Sequence, residues 1–122
     1  MYKVKVMAEF SGAHFLRGYK GKCESLHGHN WEIEVIAKSE TLDELGMVID
    51  FKKLKGFINV VMEELDHKHL NDLEYFEKIN PSSENIAKYI YDRLLALMTD
   101  EKAVLCKVRV WETSSSCAVY EE

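Results

Sequence analysis

The chain has 122 residues, 47% hydrophobic and 30% charged, with a formal net charge of −5; that is enough for one domain with a proper core over residues 1–122 and too little for two comfortable ones. The acidic balance, with no basic run interleaved with aromatics, argues against a nucleic-acid surface, and no apolar run has the length of a membrane span or of a signal-peptide core. Three cysteines, odd in number and widely spaced, do not make a disulfide framework, so a reducing cytoplasm with Cys23 as a thiol is expected.

Residues 2–10 alternate, with Tyr2, Val4, Val6, Ala8 and Phe10 on one face, and predict a half-buried strand. Residues 11–28 hold four of the six glycines and show little periodicity, which predicts a long connection of the kind that carries function. Arg17, Lys20 and Lys22 within it are either a local basic patch for a phosphate-bearing substrate or plain solvated charges. A second strand is expected from about His29 to Lys38, with His29, Trp31, Ile33, Val35 and Ala37 on its apolar face and Asn30, Glu32 and Glu34 opposite.

After a polar connection over residues 39–46, punctuated by Gly46, Asp50 has the character of a helix cap. Phe51, Leu54, Phe57, Ile58, Val61 and Leu65 follow at helical spacing. That helix is expected to end near Asp66-His67-Lys68-His69-Leu70-Asn71. Asn80-Pro81-Ser82-Ser83 starts a second helix, with Asn80 or Ser82 as its cap and Ile86, Ile90, Leu94 and Leu97 as its stripe. Residues 103–112 alternate again, with Val104, Cys106, Val108 and Val110 on one face and Glu112 at the same parity. A carboxylate ending an apolar face is costly unless something pairs with it. Residues 117–121 make a last short strand. The order predicts an α+β domain, a four-stranded antiparallel sheet with two helices on one face. Its open edges make self-association the expectation.

Chemistry concentrates at Cys23-Glu24-Ser25-Leu26-His27-Gly28-His29. On a strand His27 and His29 share a face, with Gly28 leaving the space between them open. Two imidazoles begin a metal site that suits zinc better than magnesium or calcium. His14 is the candidate third ligand.

Five motifs jointly resemble the 6-pyruvoyl-tetrahydropterin synthase superfamily over essentially the whole chain. They are Ser11-Gly12-Ala13-His14, Cys23-x-x-x-His27-Gly28-His29, Leu65-Asp66-His67 with Leu70-Asn71, Pro81-Ser82-Ser83-Glu84-Asn85, and Trp111-Glu112-Thr113. The three residues between Cys23 and His27 resemble the bacterial 6-carboxytetrahydropterin synthase branch, which serves queuosine precursor synthesis. The animal pyruvoyl synthases have a longer gap. The family often has two alanines before the first ligand histidine, where this chain has Gly12 and Ala13.

The resemblance implies a tunnelling fold in ββααββ order, and trimers stacked into hexamers with active sites at subunit interfaces. It implies Zn²⁺ as cofactor on His14, His27 and His29, and 7,8-dihydroneopterin triphosphate as substrate. The products would be 6-carboxy-5,6,7,8-tetrahydropterin, acetaldehyde and triphosphate; the alternatives are pyruvoyl-tetrahydropterin synthesis and a non-catalytic zinc-stabilised pterin-binding module. Cys23 is implied as the catalytic base, with a fourth zinc ligand as its competing reading. Asp66 and His67 are implied as a proton relay, or else form a solvated helix end. Glu112 is implied as catalytic and as the pterin anchor, and Ser83 as a pterin contact or a helix cap. His69, without a matching role, is read as surface.

Overall fold

The computed structural model describes residues 1–20 and 25–122. Its elements run β1 (Tyr2–His14), β2 (His27–Ser39), α1 (Phe51–Leu65), β3 (Lys68–His69), α2 (Ser83–Leu97), β4 (Val104–Thr113) and β5 (Ser116–Glu121), with two short 3₁₀ turns, Leu70–Asp72 and Glu74–Phe76, before α2. The α+β architecture is as expected. The sheet has five strands in the order β3-β1-β2-β4-β5 rather than four, and β3 pairs with β1 in parallel at Gly12 and Ala13. Two residues are too few to leave a periodic signal, which is why the sequence did not reveal it.

β1 does not stop at Phe10. It continues through Ser11-Gly12-Ala13 to His14, paired with β2 along its whole length, so that Phe10 faces Trp31, Gly12 faces His29 and His14 faces His27. The expected long connection therefore shrinks to residues 15–26. Alternation places Val6, Phe10 and His14 inside from β1, and Trp31, Ile33, Val35 and Ala37 from β2. Leu54, Ile58, Val61 and Leu65 of α1 and Ile86, Ile90 and Leu94 of α2 join them in one core cluster, so both helices cover the same face. Phe51 stays 52% exposed and is not part of that stripe.

The caps follow the chemistry of the termini. Asp50 Oδ1 accepts from Lys52 N–H at 2.8 Å, and Ser82 Oγ accepts from Asn85 N–H at 3.2 Å; each satisfies an orphan donor of a first helical turn. Ser82, not Asn80, is thus the cap of α2. Gly46 takes a positive φ of 82° in the turn before α1, a conformation glycine adopts without strain.

Two expectations about parity are corrected. The β2–β4 register shifts between Ile36 and Ala37, where Leu105 opposes Ala37 and Lys107 opposes Ile36. The extra residue flips the face, leaving Val104 54% exposed and Leu105 buried. Glu34 lies on the expected polar face, yet it is 7% exposed. Arg109 and Lys5 flank its carboxylate, Arg109 in direct hydrogen bond and Lys5 at 3.7 Å.

Candidate metal centre and active site

The β1–β2 register carries His14, His27 and His29 onto one face at the end of the hairpin that residues 15–26 connect. One nitrogen from each of the three rings lies within 4.8 Å of the others. His14 is 1% exposed, and its Nδ1 donates to the Pro81 carbonyl at 2.7 Å. His27 Nδ1 donates to the Ser25 carbonyl at 2.7 Å. A carbonyl only accepts, so both Nδ1 atoms carry the proton and both Nε2 atoms present lone pairs. The two Nε2 atoms sit 3.0 Å apart, an arrangement that, for neutral rings, repels unless a cation stands between them.

Burial is the main force lowering the pKa of both His14 and His29. It outweighs the Pro81 carbonyl and Glu112 at His14, and Glu112 at His29. Neutral imidazoles are the form that binds metal. Trp31, fully buried, packs edge-on against His14 and His29 at 4.9 and 5.2 Å between centroids and stacks on Phe10 at 4.9 Å. The rings are therefore wedged from below. An all-imidazole donor set with two rings oriented by carbonyls fits zinc.

Gly28 does not create the space between the imidazoles. Alternation turns it to the other face, and a Cβ there would meet only the Gly12 carbonyl at 3.5 Å, an ordinary contact. Gly12 is the glycine that matters. Its Cβ would lie 3.2 Å from the Lys68 carbonyl and 3.4 Å from the Trp31 ring, so its absence lets β3 approach β1 closely.

Glu112 occupies a register shift between Trp111 and Thr113 in the β4–β5 ladder. Its parity with the buried Val108 and Val110 points its carboxylate inward, with Oε1 3.6 Å from His14 Nε2 and 3.7 Å from His29 Nε2. Ser83 Oγ donates to the same oxygen at 3.4 Å. With Ser82 as the cap, the Ser83 hydroxyl is free for this contact. Ser83 and Glu112 share the wall of a 300 Å³ cavity completed by Glu84 and Ser116–Val119.

Asp66 and His67 form a separate pair. Asp66 closes α1, and His67 follows with φ 57°, a left-handed conformation that costs a non-glycine residue about 1–3 kcal/mol and persists where neighbours enforce it. Here Ser11 enforces it. Its N–H donates to Asp66 Oδ1 at 2.9 Å, and its carbonyl accepts from His67 N–H at 2.6 Å. The side chains meet at 2.9 Å between His67 Nδ1 and Asp66 Oδ2. The Ser11 amide, then His67, holds the Asp66 carboxyl below its ordinary pKa. No hydrogen bond or ion pair among the described residues joins this pair to the histidine triad, and the His67 side chain is 81% exposed.

His69 is not the plain surface residue expected. Its side chain is 34% exposed, Nδ1 meets Asp72 at 3.1 Å, and Nε2 is buried with no hydrogen-bond partner among the described residues. Arg17 hydrogen-bonds the Ile79 and Asn71 carbonyls rather than standing free as a phosphate ligand. Cys23 and Lys22 lie outside the described residues. The sequence reading missed the Pro81 and Ser25 carbonyls and Ser11, whose contributions are made by backbone groups that no side-chain pattern announces.

A family model described as 6-pyruvoyl tetrahydropterin synthase matches residues 3–122. The 6-carboxy-5,6,7,8-tetrahydropterin synthase of Haemophilus influenzae is 30% identical, with all of both chains covered. The human 6-pyruvoyl tetrahydrobiopterin synthase is 37% identical over 83% of this chain and 71% of its own. Among solved structures, the 6-pyruvoyl tetrahydropterin synthase of Caenorhabditis elegans superposes with a TM-score of 0.90 at 32% identity, covering 99% of this chain and 95% of that one.

Proposed function

The chain belongs to the 6-pyruvoyl tetrahydropterin synthase family, and on that premise we propose that it is a zinc-dependent 6-carboxytetrahydropterin synthase. It would convert 7,8-dihydroneopterin triphosphate to 6-carboxy-5,6,7,8-tetrahydropterin, acetaldehyde and triphosphate, in queuosine precursor synthesis in the cytoplasm. The observation that carries the reading is the convergence of His14, His27, His29 and Glu112, which sets three imidazoles placed to hold a metal ion beside a carboxylate.

Held by His14, His27 and His29, zinc would supply Lewis-acid stabilisation of negative charge on the substrate's side-chain oxygens. The rest falls to the protein. Glu112 accepts from the adjacent amino group and ring N–H of the pterin, a planar two-point match for a carboxylate. Ser83, already hydrogen-bonded to Glu112, flanks the same cavity and contacts the pterin. Cys23, as thiolate, takes a proton from the substrate's side-chain carbon. Asp66, ionised, keeps the His67 proton on Nδ1 and leaves Nε2 to accept or return one, as a carboxylate–imidazole pair does.

The exposed Asp66–His67 pair hangs from Ser11 beside the open edge of β1, where β3 covers only Gly12 and Ala13. A second copy docking along that edge would bring the pair against another site, which supports trimer or hexamer assembly with interfacial active sites. Light scattering that finds a stable monomer at micromolar concentration would refute this assembly.

The second reading is pyruvoyl synthesis, favoured by the human relative and the nematode structure. Incubating the zinc-loaded protein with dihydroneopterin triphosphate and identifying the products by mass spectrometry separates the two. Acetaldehyde with the carboxypterin supports the first reading; triphosphate with a pyruvoyl pterin and no acetaldehyde supports the second. No turnover would leave a zinc-stabilised pterin-binding module.

A further inference from the structure

Asn71 and Asn85 belong to the motifs above and take no part in the chemistry just described. Asn71 is 6% exposed, and a buried amide needs partners for its oxygen and its NH₂ alike. One residue provides both. Phe15 N–H donates to Asn71 Oδ1 at 3.0 Å, and Asn71 Nδ2 donates to the Phe15 carbonyl at 3.0 Å.

Asn80 repeats the arrangement two residues further along. Its Oδ1 accepts from Arg17 N–H at 2.9 Å, and its Nδ2 donates to the Arg17 carbonyl at 3.0 Å. A carboxamide carries the same donor and acceptor as a peptide group, so the two side chains stand in for a neighbouring strand just past the end of β1. Asn80 is in turn tied to α2, because Asn85 Nδ2 donates to its carbonyl at 2.8 Å. The next residue, Pro81, supplies the carbonyl that holds His14 Nδ1 at 2.7 Å.

We infer that Asn71 and Asn80 form a two-point amide clamp that positions His14 as a metal ligand. This rests on the metal-site reading. The β1–β2 ladder ends at the His14–His27 pair, and β3 reaches only Ala13, so the sheet exerts no hold on the backbone leaving His14. The clamp replaces that hold at residues 15 and 17, and the Asn80–Pro81 step couples it to the carbonyl that orients the imidazole. Groups that orient a ligand histidine set metal affinity by about 10- to 100-fold, and this clamp acts one step behind such a group.

The test is Co²⁺ titration followed by visible absorption, with chelator competition, on the wild type and on Asn71→Asp and Asn80→Ala. Asn59→Ala, on an exposed position of α1, is the control. Asn71→Asp keeps the acceptor for Phe15 N–H and loses the donor, so it removes half of one clamp. Amide hydrogen exchange at Phe15 and Arg17 is read on the same samples.

The expected result is one Co²⁺ per wild-type and control chain, with affinity weakened about tenfold or more in both clamp variants. Protection should fall at Phe15 or Arg17 and stay unchanged in β4. Wild-type affinity in folded clamp variants would overturn the inference. Failure of the wild type to bind Co²⁺ would overturn the metal-site reading, and the inference with it. Should Asn71→Asp not fold, the half-buried Asn80→Ala decides alone.

Discussion

His14 and His27 are a register pair across the β1–β2 ladder, and their Nε2 atoms meet at 3.0 Å while each Nδ1 donates to a backbone carbonyl. In the neutral tautomers that these carbonyls select, neither Nε2 has a proton to offer the other. The pair is therefore a demand for a cation, and His29 completes the set.

Elemental analysis should find about one zinc per chain, as three protein nitrogens and an open position provide. His27→Ala should lose it, and added zinc should raise the thermal midpoint of the wild type but not of the variant. Full zinc occupancy in His27→Ala would refute the assignment.

Cys23→Ala separates the two roles of the thiol. As the base, Cys23 is dispensable for metal and pterin, so the variant should keep both while turnover falls by about two to four orders of magnitude. Zinc content, thermal midpoint and product formation are measured on one preparation. Zinc lost together with the cysteine would make it a fourth ligand; activity near wild type would leave it without a role.

Asp66→Asn preserves an oxygen for the Ser11 amide and removes the charge beside His67. Its carboxamide NH₂ would face Nδ1 and favour the wrong tautomer. The rate constant for turnover should drop by roughly 10²- to 10⁴-fold with the thermal midpoint nearly unchanged. A variant as fast as wild type would remove Asp66 and His67 from the proton path.

Glu112→Gln should weaken pterin binding by about 10- to 100-fold, the loss expected for a hydrogen bond of about 1.5–3 kcal/mol to a charged acceptor. Zinc content should stay constant. Calorimetry with a neopterin checks the first, elemental analysis the second, and a fall in zinc alone would make Glu112 a ligand rather than an anchor.

Tyr89 gives a pH dependence at the far side of the core. Burial first, then its hydrogen bond to Glu64 at 2.6 Å, pushes its hydroxyl up to about 12. An unfolded tyrosine releases its proton near 10. Between those values the folded chain retains a proton that the unfolded chain has lost, so this stabilisation is complete below about pH 10 and declines as pH rises toward 12. The wild-type thermal midpoint should therefore fall more steeply than that of Tyr89→Phe above about pH 10; parallel curves would refute it.

The His27–His29 pair was legible because period-two alternation depends on position alone, and His27, His29 and Trp31 keep it; His14 was picked out only as a nearby upstream histidine and by its family motif. The extension of β1 was not. Ser11-Gly12-Ala13 contains no β-branched or aromatic residue, and its strand conformation comes from pairing with β2 and β3. The flip at Leu105 was hidden because one extra residue in a ladder changes nothing in the local composition. Glu112 was legible as an acid out of place on an apolar face, but its nearness to His14 and His29, which lie on other strands, was not. The Asn71 and Asn80 clamps join residues far apart in sequence, which no local pattern reports.

The register of the β1–β2 hairpin has a consequence for how the chain finds its fold. A tight turn would dictate which residues pair, but residues 15–26 form a connection too long to do so. Sliding one strand by a single position would throw His14 onto the opposite face from His27 and His29, and a slide of two would break the facing pair while leaving the apolar stripes in contact. Hydrophobic packing alone distinguishes the first error better than the second. An ion that binds only when His14 stands opposite His27 would detect both, so metal present during refolding should act as a proofreader of strand alignment, enriching the correctly zipped hairpin over its near neighbours.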